Sequence, residues 1–214
     1  MKRAYRPFGQ LALIASLALS GACSILPQAE PVDIYRLPTA QSTAARSQGT
    51  AQPWSLRLTK PQASDALNSA RIAVIPQGDV ISSYKDARWS DPAPVLLRDR
   101  LLEGFLADGR VQLLGTDDSN VQTDLELGGN LQAFQSEYQG KAVGVVIRLD
   151  ARLVRGYDQK ILASQRFEVR QPLNDTRVPA VVTGFGQAAD ALSRQVVEWT
   201  VKQGTRLAPT IRTR

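Results

Sequence analysis

Apolar residues recur along this chain at two spacings, and the spacings mark out its elements. Val143, Val145, Ile147, Leu149, Ala151 and Leu153 stand at strict period two, with Arg148, Asp150 and Arg152 pointing the other way. That alternation predicts a strand with one face buried and the other partly wet. Leu125, Leu127 and Leu131 before it, and Ile161, Ala163, Phe167 and Val169 after it, continue the alternation. Gln139-Gly140 and Gly156-Tyr157-Asp158 supply the turns, so the region predicts an antiparallel meander of three strands. Gly128-Gly129 within the first of them predicts a bulge or a close backbone approach.

Shorter strands are predicted upstream. Trp54, Leu56 and Leu58 alternate with polar residues; residues 71–75 form an apolar run stopped by Pro76; Val80 to Tyr84 follows a Gly78-Asp79 turn; Val111 to Leu114 is a fourth. Val32 to Leu37 alternates and reads as a short edge strand. Two stretches carry helical spacing instead. Asp91 as N-cap and Pro92 at the first helical position open a helix whose apolar side holds Val95, Leu97, Leu101, Leu102, Phe105 and Leu106. Arg98, Asp99, Arg100 and Glu103 fill its other side, and Gly109 stops it. The second helix is predicted from Pro179 to Gln203, with Val182, Phe185, Ala189, Leu192, Val196 and Trp199 on one stripe and Gly204 as its end. Gly184 and Gly186 read as points of close approach to the sheet. The first helix lies between the strands at 71–75 and 111–114, which permits a crossover making them parallel. The expected fold is α/β: one compact domain, a mixed sheet with an antiparallel meander, and two main helices packed on it.

The first 23 residues stand apart from this pattern. Lys2, Arg3 and Arg6 precede an apolar run from Leu11 to Leu19, then small residues, then Cys23. This is the layout of a secretory signal, and the run is too short to span a bilayer, which takes about 20 residues. Leu19-Ser20-Gly21-Ala22-Cys23 resembles the lipobox of bacterial lipoproteins, with Ser20 where Leu is commoner. The resemblance implies cleavage before Cys23, a diacylglyceryl group on its thiol and an acylated new amino terminus. Ser24 stands where an Asp would hold such a protein in the inner membrane, which points to the outer membrane. The expected organisation is a signal peptide over 1–22, a lipidated N-terminus and linker over 23–53, a folded domain over 54–204 and a mobile tail over 205–214. Residues 39–50 carry almost no large apolar side chains, as a linker would.

Charge and chemistry narrow the function. The formal charge of +6 includes three basic residues of the signal, leaving about +3 on the mature chain. No basic stripe with interleaved aromatics favours nucleic acid. The chain has no histidine and its one cysteine is the lipobox residue, which removes His-based triads, Cys nucleophiles and His or Cys zinc clusters. No phosphate-binding glycine loop occurs. Asp117, Asp118, Asp124 and Glu126 form a modest acidic cluster that reads as a polar turn rather than a metal site. The mature lysines (Lys60, Lys85, Lys141, Lys160 and Lys202) sit in no recognisable Ser–Lys motif. No cofactor or catalytic residue is assigned. Tyr84 and Trp89 flank a predicted polar loop and read as core caps first, as partner contacts second.

The order of these features is similar to that of the ABC-type transport auxiliary lipoprotein family, which includes the paraquat-inducible protein C type. The resemblance runs through the lipobox cysteine, Tyr35-Arg36-Leu37, Arg71-Ile72-Ala73-Val74-Ile75, Tyr84, Arg88-Trp89, Pro92, the Leu-rich helix, the meander and a last helix reaching Trp199. It implies a compact α/β domain on a periplasmic lipoprotein at the outer membrane. It also implies work with an MCE-domain protein, an ABC permease and an ATPase that move phospholipids between the two membranes. Only Cys23 carries over with a role; Tyr84 and Trp89 carry over as family-like positions. The leading expectation is therefore a non-enzymatic accessory lipoprotein, held to the membrane by its lipid, with a homo-oligomer around the conduit left open. Two rivals stand beside it: an assembly factor or chaperone for another outer-membrane machine, such as lipopolysaccharide export or cell-wall synthesis, and a hydrolase with an unrecognised site.

Overall fold

The computed structural model describes residues 31–39, 49–119, 121–140 and 142–212. The signal segment, Cys23 and most of the expected linker lie outside the described residues. The folded unit reaches back to Val32 rather than beginning at Trp54, because the short alternating stretch joins the sheet as β1 (Asp33–Tyr35).

The sheet is organised by one long strand, β7 (Leu125–Gln139). Along one edge it pairs antiparallel with β8 (Ala142–Arg155), which pairs in turn with β9 (Ile161–Leu173). This is the predicted meander. Along its other edge β7 takes three strands in succession, all parallel to it: β2 (Leu56–Leu58), β3 (Gln62–Ala63) and β4 (Arg71–Gln77). Beyond β2 lies β6 (Leu114–Thr116), and beyond β4 lie β5 (Val80–Trp89) and then β1. The result is a mixed sheet of nine strands among the described residues. The crossover expectation holds for direction, since β4 and β6 both run with β7. They are not neighbours, because β4 pairs with the C-terminal end of β7 while β6 lies outside β2 at its N-terminal end.

Within β7 the register slips between Leu131 and Ala133, so Leu131 and Phe134 both reach the core. The bulge therefore sits at Gln132 and not at the glycine pair. Gly129 serves the other predicted purpose: its φ is +146°, and a methyl group there would run into the Asp150 carbonyl.

Helix α1 (Ala93–Asp108) and helix α2 (Val178–Arg212) cover one face of the sheet. Asp91 does not cap α1. Pro92 occupies the cap position, its carbonyl accepting from the N–H groups of Val95 and Leu96 at 2.9 and 3.2 Å. Pro94 brings no N–H to the first turn, which leaves less for a side chain to cap. Gly109 ends α1 as expected, with φ 76° and its N–H donating to Phe105 O. Gly204, by contrast, does not end α2, and the tail expected to be mobile is helical to Arg212. Any side chain at Gly204 would overlap the Trp54 indole, so this glycine lets the helix lie against the tryptophan. Between helices and sheet, Phe134 stacks on Phe185 with centroids 4.9 Å apart, and Trp89 meets Phe185 edge-on at 5.1 Å.

Candidate functional site

The structure brings the chain's scattered motifs to one place. Tyr35 of β1 lies in register with Trp89 of β5, and its carbonyl accepts from the Ser90 N–H at 2.7 Å. Two residues on, the Leu37 and Pro38 carbonyls accept from Arg100 Nη2 at 3.1 and 2.8 Å. Arg100 is 5% exposed, and its Nη1 donates to Asp190 Oδ1 of α2 at 2.6 Å. Gly186, also on α2, has no room for a side chain because Pro38 lies on it. The segment that leads into the fold is thus pinned at the junction of both helices and the sheet.

Arg98 and Arg100, on the side of α1 opposite its expected apolar residues, are buried. Arg98 reaches Asp117 and Asp118 at 2.6 Å each and Asp99 at 2.8 Å. Burial works against its charge, but hydrogen bonds to Asp117 and Asp99 outweigh that and hold its pKa above the ordinary arginine value. Asp117 is the mirror case: burial would raise it, but Arg98 and the Lys60 amide bring it below the usual carboxylate range. An alternating charged stripe ordinarily faces water; here a second helix and a loop cover it. The available signal was Asp190, an acid set among the small apolar residues of the α2 stripe.

Tyr84 and Trp89 flank no loop; both lie in β5, which is irregular between them, with Asp86 at φ 56°. Trp89 is 1% exposed and belongs to the core. Tyr84 is half-buried, with its hydroxyl 2.9 Å from Ser136 Oγ. Burial pushes its phenol up to about 12, so it stays neutral and hydrogen-bonded at physiological pH.

The sheet face away from the helices is a lattice of charges. Arg166 pairs with Asp150 at 2.5 Å, Arg148 with Glu168 at 2.5 Å, and Arg170 with both Glu168 and Glu137 at 2.7 and 3.1 Å. Arg57 pairs with Glu126 at the far end. Arg166 holds Asp150, and Arg148 then Arg170 hold Glu168, below the usual carboxylate range. Arg152 donates to Asn130 Oδ1 at 3.2 Å and borders a shallow depression of about 200 Å³ that also takes in Thr59, Lys60 and Gln62. This face was missed as a unit because the sequence displays only every second residue of one strand at a time.

The expected acidic cluster divides among separate partners. Asp117 and Asp118 go to Arg98, Glu126 goes to Arg57, and Asp124 accepts from the Ser55 N–H and hydroxyl at 2.8 and 2.7 Å. Among the described residues no group of three His, Cys, Asp or Glu side chains could hold a metal ion. Lys60 lies 3.9 Å from both Asp117 and Asp118.

Comparison with known proteins agrees with this architecture. The fold is similar to the crystal structure of protein XCC0632 from Xanthomonas campestris, with TM-score 0.71 and 28% identity over 82% of this chain and 99% of that one. It is also similar to that of an uncharacterized protein, with TM-score 0.61 and 15% identity over 80% and 99% of the two chains. No curated protein matches the chain in sequence. The model of one family matches residues 35–197, from the pinned segment to the last helix: the chain belongs to the family of ABC-type transport auxiliary lipoprotein components.

Proposed function

We propose that this chain is a periplasmic lipoprotein, anchored through acylated Cys23 in the outer membrane, that serves an MCE-domain protein and its ABC permease and ATPase in moving phospholipids between membranes. The observation that carries the reading is the family match, which spans the whole described sheet except its first residues. Two features support it. No described helix is long and apolar enough to cross a membrane; in this reading the acyl group on Cys23 is the attachment. The residues shared with the family's pattern, Tyr35 to Leu37 and Arg88-Trp89, lie together where β1 pairs with β5. In this reading the protein is not an enzyme; ATP is spent by its partner.

The fold changes the reach of the tether. The expected linker ran to residue 53, but the chain is bound into the sheet at Asp33 and pinned again at Leu37 and Pro38. Eight residues lie between Cys23 and Val32, and the nine steps span at most about 30 Å of extended chain. The domain stays close to its membrane, and the conduit must come to it.

The reading is tested by isolating the protein from solubilised envelopes. The wild type is expected in the outer-membrane fraction together with an MCE-domain protein, and Cys23→Ser is expected in the soluble periplasm. A Cys23→Ser protein that stays with the membrane, or a wild type that brings down no transporter component, overturns it.

A further inference from the structure

On the open face of the sheet, side chains paired across strands stand in rows. One row runs through Arg57, Glu126 and Val154, and another through Asn130, Asp150 and Arg166. Each is closed by an ion pair, Arg57–Glu126 in the first and Arg166–Asp150 in the second. The row between them runs through Gly128, Arg152 and Ser164. Thr59 extends it, since its N–H donates to Leu127 O at 2.9 Å and continues the β2 ladder. This middle row holds a cation and no acid. Arg148, Arg166 and Arg170 all have carboxylate partners. Among the described residues Arg152 has none, and its one bond is to Asn130 Oδ1 at 3.2 Å.

The same row has a gap. Gly128 separates Thr59 from Arg152, so their backbones stand about 10 Å apart, two strand spacings, with no side chain rising between them. Thr59 leans its hydroxyl over the glycine, where a methyl group would run into it. That hydroxyl is held by a long bond of 3.3 Å to the Leu127 carbonyl, and a hydroxyl turns readily to a better partner. The gap is part of the depression of about 200 Å³, which Lys60, Val154 and Ile161 also line. The acids nearby are already taken. Glu126 is paired with Arg57, and Asp117 and Asp118, beside Lys60, are each held by Arg98 at 2.6 Å. Arg152 therefore brings a positive charge that no carboxylate of the chain meets, on a fork of five N–H donors. A planar carboxylate would be satisfied by the fork alone. A tetrahedral phosphate also sends oxygens to the opposite wall, where the Thr59 hydroxyl and the Lys60 ammonium stand.

We propose that Arg152, with Thr59 and Lys60, binds the phosphate of a singly charged phosphate ester over Gly128. One negative charge matches the one unmet positive charge. Val154 and Ile161, the latter 54% exposed, give the carbon side of the ester an apolar margin that inorganic phosphate would not use. The phosphate site stands independently of Cys23 and of any transporter. Only a lipid headgroup as the source of the ester rests on the reading of the protein as part of a phospholipid carrier.

The test is the phosphorus NMR line width of glycerophosphoglycerol, a phosphodiester headgroup without acyl chains, added to the full-length acylated protein in dodecyl maltoside. The wild type is expected to broaden the line at least twofold. Arg152→Gln should abolish the broadening, whereas Arg166→Gln, which removes the same charge from the ion-paired row, should keep it. Lys60→Gln tests the opposite wall and should lose at least half of the broadening. Each variant is compared at an unchanged urea-unfolding midpoint. No broadening by the wild type, or equal losses in Arg152→Gln and Arg166→Gln, overturns the site. Competition then separates the sources. Phosphatidylglycerol added to the micelles should restore the sharp line at a lower concentration than inorganic phosphate does, which supports a lipid headgroup. Inorganic phosphate acting at the lower concentration makes free phosphate the occupant and overturns the ester, leaving the protein's place beside a transporter to its own test.

Discussion

The two faces of the sheet solve opposite problems. The helix side is closed by fit: Trp89, Phe134 and Phe185 interlock, Gly186 and Gly204 bring α2 down onto Pro38 and Trp54, and its buried ion pair, Arg100–Asp190, is also the clamp on the incoming chain. The open side is closed by nothing described. Its arginines and carboxylates hold one another in a plane that water wets. The first face decides whether the domain exists. The second can change its charges at little cost in stability, and surfaces of that kind are free to serve partners.

Breaking the covered face should have the largest effect. Phe185→Ala removes a fully buried ring that touches two others, and about 4 kcal/mol of stability should be lost in urea unfolding. Asp190→Ala leaves the Arg100 guanidinium buried without this carboxylate. A loss of about 3 kcal/mol is expected, together with faster amide exchange at Tyr35 and Leu37 as the clamp loosens. Gly129→Ala, between the two faces, meets the Asp150 carbonyl at a positive φ and should cost about 2 kcal/mol.

On the open face, Arg166→Ala should change stability by less than about 1 kcal/mol, because its pair with Asp150 is exposed. A loss of several kcal/mol there would erase the contrast between the faces. Acid titration sharpens it. Asp117, Asp150 and Glu168 have folded pKa values below their unfolded ones. Their contribution is complete above about pH 5, since unfolded carboxylates titrate near 4. It falls away as the pH drops through the depressed folded values. Stability followed from pH 6 to pH 2 should decline in that window, and Arg166→Ala should flatten part of the decline.

The same contrast explains what could be read in advance. The meander and both helices were legible because a face buried on one side imposes its period on the sequence, as in Val143 to Leu153. Strands of two or three residues leave little period to read, so β3 went unseen and β6 was placed too early. The burial of Arg98 and Arg100 was not legible because it depends on acids distant in sequence, Asp117 and Asp190. Gly204 looked like a helix stop because its contact is with Trp54, 150 residues away. The lattice on the open face becomes visible only when three strands lie side by side.

The most direct test of the central claim is photocrosslinking in cells with a reactive residue placed in turn at Arg166 on the open face, Leu106 on α1 and Tyr157 at the turn before β9. The account predicts that at least one position captures an MCE-domain protein, and that Cys23→Ser abolishes the capture without unfolding the domain. Capture of only lipopolysaccharide-export or cell-wall components, or of the same MCE-domain protein by the unanchored variant, would contradict it.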